Sequence, residues 1–139
     1  MRIMAIDYGD ARIGLAVSDA SALICGEAWT LGERNMSRAA DTIAAEAKSR
    51  GVSRFVLGYP KNMDGTVGDR ARKSEDFKAM LELKSGLEVV LWDERRSTIA
   101  AQDILHANGR KVKGNRKTID AIAASLILEG YIGQLTVDS

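Results

Sequence analysis

The chain has almost none of the residues from which thiolate and imidazole metal sites are built. One cysteine, Cys25, and one histidine, His106, occur in 139 residues, too few for a zinc site of the usual kind. A lone cysteine excludes an intramolecular disulfide, and because "ALICGEAW" reads as strand, Cys25 is expected to be a buried structural thiol. His106 stands in a helical stretch before "ANGR" and is expected near the negative end of that helix. Aromatic residues make up only 5% of the chain, so no base-stacking platform is evident. No apolar run approaches the roughly 20 residues of a membrane-spanning helix. "MRIMAID" lacks the apolar core and cleavage site of a secretion signal, so a cytoplasmic protein without a membrane partner is expected. Lys and Arg number 20 against 19 Asp and Glu, which leaves only local clustering of charge to point to a polyanionic partner.

What is present suits one packed core. With 45% hydrophobic residues, residues 1–139 are expected to form a single domain. The apolar run from Arg2 to Ile6 and the alternation of Ile13, Leu15 and Val17 predict two strands joined by the tight "DYGDAR" connection, a hairpin. A third strand is expected over 23–30. "NMSRAADTIAAEAKSRG" carries Ala40, Ile43, Ala44 and Ala47 on one stripe, a helix with Ser37 as N-cap and Gly51 as stop. "RFVLGYP" is a continuous apolar run of the buried, parallel kind, closed by Gly58 and the only proline, Pro60. A helix with Val67, Ala71, Ser74, Phe77 and Leu81 on one stripe follows and stops at Gly86. "EVVLWDER" predicts another buried strand, and "STIAAQDILHANG" a helix capped by Ser97 and ended by Gly109. "TIDAIAASLILEGYI" predicts a last helix with Thr118 as cap and Ile119, Ile122, Ala123, Leu126 and Ile127 buried. A meander followed by alternating strands and helices predicts an α/β fold, a mixed sheet flanked by helices.

Two buried strands run out in acid, one at Asp7 and the other at Asp93 with Glu94 beside it. Ligands bind at the C-terminal ends of strands in open α/β sheets, so parallel strands would bring Asp7 and Asp93 to one edge. A third acid, Asp120, opens the last helix on the turn expected to face the sheet. Gathering three carboxylates costs repulsion and desolvation, which a divalent cation removes. Mg²⁺ or Mn²⁺ would suit oxygen ligands, and two such ions about 4 Å apart can promote phosphodiester hydrolysis. Each acid also has an ordinary structural use: Asp7 in its turn, Asp93 and Glu94 with Arg95 or Arg96, Asp120 at a helix N-terminus.

Basic residues gather at two places expected to flank this edge. Arg110, Lys111, Lys113, Arg116 and Lys117 form a Gly- and Asn-containing loop before Asp120, and Lys61, Arg70, Arg72 and Lys73 follow the fourth strand. Such cations suit the positioning of a phosphate backbone, although a charge run is commonly only a solvated loop.

"MRIMAIDYGDARIGLAVSD", "VLGYPKNMDGTVGDRA", "LWDERRST" and "TIDAIAASLILEGYI" resemble the four blocks of the YqgF family, also called RuvX-type resolvases, in order and nearly in spacing. The resemblance implies an RNase H-like fold with a five-stranded mixed sheet. It also implies a nuclease active on structured RNA in maturing the 5′ end of pre-16S rRNA, in contact with a pre-ribosomal particle. The alternative is a Holliday junction resolvase acting on branched DNA. By the same resemblance the catalytic and metal-binding acids are Asp7, Asp93, Glu94 and Asp120, with the choice between Asp93 and Glu94 as ligand open. Tyr59 departs from the small residue or leucine common in the family, and "LGYP" lacks the glutamate that RuvC-type resolvases carry there. Arg12 either orders the acidic turn, meets a phosphate or forms a structural ion pair.

Three rivals follow. A junction resolvase needs paired sites and hence a homodimer, whereas the RNA enzyme can be a monomer. An ATP-binding protein is suggested by the likeness of "DYGDARIGLAV" to the phosphate loop of actin-like and sugar-kinase ATPases, but the second copy of the domain is missing. A non-catalytic RNA-binding assembly factor would tolerate loss of the acids.

Overall fold

In the computed structural model, which describes residues 1–22, 25–61, 64–93 and 116–138, the first apolar run forms β1 (Arg2–Asp7). It pairs antiparallel with β2 (Arg12–Ser18), Asp7 lying opposite Gly14. β3 (Cys25–Gly32) pairs antiparallel with β2 and runs two residues past the end at 30 that was predicted; residues 23 and 24 of that prediction lie outside the described residues. β4 (Val52–Tyr59) lies parallel to β1, and β5 (Val89–Asp93) parallel to β4. The order β3-β2-β1-β4-β5 makes the predicted five-stranded mixed sheet.

Both faces of the sheet are covered, which is why β1 and β4 read as unbroken apolar runs. Met4, Ile6, Ile13, Leu15, Phe55 and Leu57 pack on one face against α1 (Met36–Arg50) and α2 (Asp69–Ser85). Ile3, Ala5, Ala16 and Val56 pack on the other against α3 (Arg116–Asp138). The period of two along each strand therefore tells which helices a residue faces.

Helix starts and faces differ from the sequence reading at several residues. The N-cap of α1 is Asn35, whose side chain accepts from the Arg38 amide at 2.9 Å; Ser37 is inside the first turn, where its hydroxyl accepts from Lys84 Nζ at 3.1 Å. Gly51 ends the helix at φ 72°, a left-handed position a β-carbon disfavours. In α2, Ala71, Ser74, Phe77 and Leu81 are buried as predicted, but Val67 precedes the Gly68 N-cap and is 37% exposed. α3 starts before Thr118, which is therefore not its cap, and among its described side chains the buried ones are Ala124, Leu126, Ile127, Leu128, Tyr131 and Ile132. Ile119 is exposed, and Ile122 and Ala123 are half-buried. The apolar residues of α3 leave its facing ambiguous, and the approach of Asp120 to the sheet decides it. Cys25 is half-buried rather than buried, its Sγ 3.8 Å from Ser125 Oγ. The helix predicted from Ser97 to Gly109 and His106 within it lie outside the described residues. Among those described, no helix is long and apolar enough to cross a membrane.

Candidate acidic centre at the strand ends

The chain directions bring five strand ends to one rim: β1, β3, β4 and β5 finish there and β2 begins there. Asp7 and Asp93 close β1 and β5, separated by β4, where Tyr59 lies opposite Asp93. Two strand spacings put their backbones roughly 10 Å apart. Asp7 continues the series Ile3, Ala5 and so belongs to the α3 face. Asp93 continues Val89, Leu91 and belongs by alternation to the face of α1 and α2.

Gly14 brings Asp120 to Asp7. It lies directly opposite Asp7 on β2 and on the same face as Ala16. A β-carbon built on it would stand 2.0 Å from the Asp120 carbonyl oxygen, so the backbone of α3 rests on β2 where the side chain is missing. Only glycine permits that approach. Asp7 and Asp120 thus occupy adjoining positions on one face, though one comes from the first strand and the other from the last helix.

The electrostatics of Asp120 are unusual. Its side chain is 26% exposed, yet Oδ2 is itself buried and accepts no hydrogen bond among the described residues. Arg12 Nε stands 3.4 Å from that oxygen, an ion pair without hydrogen-bond geometry. Pairs this exposed contribute about 0–1 kcal/mol, while a buried acceptor without a donor costs about 1–3 kcal/mol. A cation would relieve that cost, and two carboxylates on one face suit a hard divalent ion. Among the described residues no group of three His, Cys, Asp or Glu side chains is close enough to hold a metal. Glu94 lies outside the described residues.

The basic segment after β4 is tied to the same rim. Tyr8, just past β1, stacks on Phe77 of α2 with ring centroids 4.5 Å apart, and Lys73 Nζ is 2.9 Å from Asp10 Oδ1. Lys61 Nζ sits 5.7 Å from the Tyr59 ring centre. Arg70 is exposed, and Arg72 approaches Asp69 at 4.0 Å. Arg116 and Lys117, predicted in a loop, belong to the first turn of α3; Arg110, Lys111 and Lys113 lie outside the described residues. Arg34 and Arg38 also stand near this rim, outside the two basic clusters expected from the sequence. Their signal is "ERNMSR", two arginines around a helix cap directly after a strand that ends on this rim.

Residues 1–134 match the model of a family described as RuvX, Holliday junction resolvase. A protein of Agathobacter rectalis named "Putative pre-16S rRNA nuclease" is 38% identical, the alignment covering 98% of this chain and 97% of that one. One of the same name from Desulfitobacterium hafniense is 42% identical over 95% and 92%. Among solved structures, T. thermophilus RuvC in complex with Holliday junction substrate superposes with a TM-score of 0.66 at 12% identity, over 98% of this chain and 97% of that one. Fowlpox virus resolvase with its Holliday junction DNA gives 0.59 at 14%, over 97% and 99%. At such identities the likeness is one of fold, and that fold is the RNase H-like one the four sequence blocks implied.

Proposed function

Since the chain belongs to the RuvX family, we propose that it is a metal-dependent nuclease that hydrolyses phosphodiester bonds of structured RNA, in processing the 5′ end of pre-16S rRNA. The substrate follows the name shared by its curated relatives. The observation that carries the chemistry is that Asp7 and the backbone of Asp120 both lie against Gly14 on one face of the sheet, with a buried Asp120 carboxylate oxygen that accepts no hydrogen bond among the described residues.

In this reading Asp7 and Asp120 hold Mg²⁺ or Mn²⁺, and Glu94 or Asp93 completes the set. The ion, when bound, supplies a nucleophilic water and stabilises the leaving oxygen. Arg12 offsets the charge of Asp120 and meets the phosphate, while Lys61, Arg70, Arg72 and the basic residues 110–117 fix the backbone without reading sequence. Residues 1–139 act as one cytoplasmic domain, as a monomer and in contact with a pre-ribosomal particle.

The family description favours a second reading, cleavage of four-way DNA junctions by a homodimer with paired sites. Both are tested by offering a pre-16S 5′-end substrate and a four-way junction to the wild type and to Asp7→Asn, with binding measured separately. RNA cleavage that disappears in the variant while binding persists supports the first reading; paired junction cuts by a dimer support the second. RNA cleavage unchanged in Asp7→Asn overturns the catalytic role of Asp7 and the acidic centre built on it, and a wild type that binds the RNA without cutting it favours a non-catalytic assembly factor.

A further inference from the structure

We infer that the groove lined by Arg12, Gly32, Arg34 and Arg38 is a binding site for the phosphodiester backbone of the substrate, leading a strand to the acidic centre. The inference rests on the nuclease reading and adds a second flank to it, on the side of the sheet away from Lys61 and Arg70.

The groove follows from how β3 hands over to α1. Arg12 lies opposite Gly32 in the β2–β3 ladder, and the Glu33 amide donates to the Ala11 carbonyl at 3.1 Å, closing its floor. Asn35 then starts α1, so Arg34 and Arg38 stand on the far wall. The cavity is open to solvent and measures about 440 Å³. Gly32 keeps it clear: nothing lies within 4 Å of where its β-carbon would be.

Its charge suits a polyanion. Three guanidinium groups face one carboxylate, Glu33, which accepts from the Asn35 amide at 3.0 Å and pairs with Arg38 Nε at 3.4 Å. The Asn35 N–H holds the Glu33 carboxyl below its ordinary range, so it stays ionised and orients Arg38. Arg34 is exposed and enters no ion pair among the described residues. With Arg12 set against Asp120 and Arg38 against Glu33, the excess is one positive charge, that of Arg34, and all three guanidiniums are planar donor forks, which match phosphate oxygens in pairs. Among the described residues no aromatic ring lines the walls, so they offer no platform for stacking a base and fit the backbone.

Arg12 joins this groove to the centre, because it both lines the groove and stands beside Asp120 Oδ2. Its ion pair is weak enough that a phosphate can draw the guanidinium over at little cost. A strand held on Arg34 and Arg38 therefore has its next phosphates led toward Asp7 and Asp120.

The test is equilibrium binding in EDTA, by fluorescence anisotropy, of a labelled structured RNA and a four-way DNA junction of matched length, over a salt series. The double variant Arg34→Ala/Arg38→Ala should bind both about tenfold more weakly, and the slope of log affinity against log salt should fall by about 1.4 to 1.8, two phosphates' worth. Gly32→Glu, whose β-carbon has no atom within 4 Å of it and whose carboxylate would enter the groove, should weaken binding without lowering the melting temperature. Arg34→Lys/Arg38→Lys should restore most of the slope. Wild-type affinity and slope in the alanine variant would overturn the groove, as would a loss confined to RNA or to DNA. Neither result touches the nuclease reading, which stands or falls on cleavage by the wild type and by Asp7→Asn.

Discussion

Replacing Gly14 with alanine should damage stability and cleavage together, because one contact supports both. The added β-carbon would lie 2.0 Å from the Asp120 carbonyl oxygen, 2.7 Å from its carbon and 3.4 Å from the Ala121 nitrogen. Real β-carbons do not come closer than 3.0 Å, so the gap must open by about 1 Å. The obstacle is helix backbone, which cannot step aside as a side-chain tip can. β2 cannot retreat either, since Ile13 and Leu15 beneath it are fully buried. The N-terminal two turns of α3, which carry Asp120, must lift, loosening Ala124 and Ile127 behind them, and overpacking of this kind costs about 1–3 kcal/mol. The same movement takes Asp120 about 1 Å from its place beside Asp7, a displacement that can cost on the order of 100-fold in rate. Urea unfolding and single-turnover cleavage measure the two effects, with Gly32→Ala as a stability control because its site is open. A Gly14→Ala protein as stable and as active as the wild type would refute both the close seating of α3 and the reasoning built on it.

If Asp7 and Asp120 share a cation, Mn²⁺ should raise the melting temperature of the wild type, by about 2.7 kcal/mol of stability at a hundredfold excess over Kd; equal shifts in wild type and Asp120→Asn would contradict this. Lys78 first, and then the Val89 amide, hold the Glu82 carboxyl below its ordinary value. The stabilisation is therefore present above the ordinary Glu pKa and is lost as pH falls through the lowered one. Urea unfolding should show Glu82→Gln less stable than wild type at pH 7 and the two converging in acid. Cleavage assays should rank Glu94→Gln as more damaging than Asp93→Asn, because Asp93 belongs by alternation to the face of α1 and α2, away from Asp7 and Asp120; the reverse order would show that the strand end departs from its alternation.

The parts of the fold that could be read in advance are those governed by short-range pattern. β1 and β4 announced themselves as unbroken apolar runs because both their faces are covered, and β2 as an alternating one beside an edge strand. Gly51 and Gly86 marked helix ends because left-handed φ values of 72° and 71° suit glycine. The misreadings fell where a neighbour decides. Ser37 and Asn35 are both competent caps, and the chain path out of β3 selects Asn35. α3 carries apolar residues on several sides, so its own period does not choose between Ile122 and Ala124; Gly14, about a hundred positions away, does. Asp7 and Asp120 were legible as candidates from a strand end and from an expected helix start, although the helix begins earlier, at Arg116, and Asp120 stands past its first turn. That a missing side chain on β2 would join them was not legible, nor was the pairing of Arg34 and Arg38 across a groove.

A chain of net charge +1 can still engage a polyanion because its charges are segregated by edge. At the edge opposite the rim, positive groups are cancelled locally: Arg50 pairs with Glu27 at 2.7 Å and Glu46 at 2.9 Å, and Arg54 meets Glu88 at 3.5 Å. At the rim the pattern differs. Acids gather where the strands end, and arginines and lysines stand to either side of them, some in weak or exposed pairs. What a phosphate backbone meets is set by this local arrangement, because beyond about 10 Å at moderate salt the remaining charges are screened. Total charge therefore carries no information about the partner here, and the salt dependence of binding should be governed by the few cations on the two flanks.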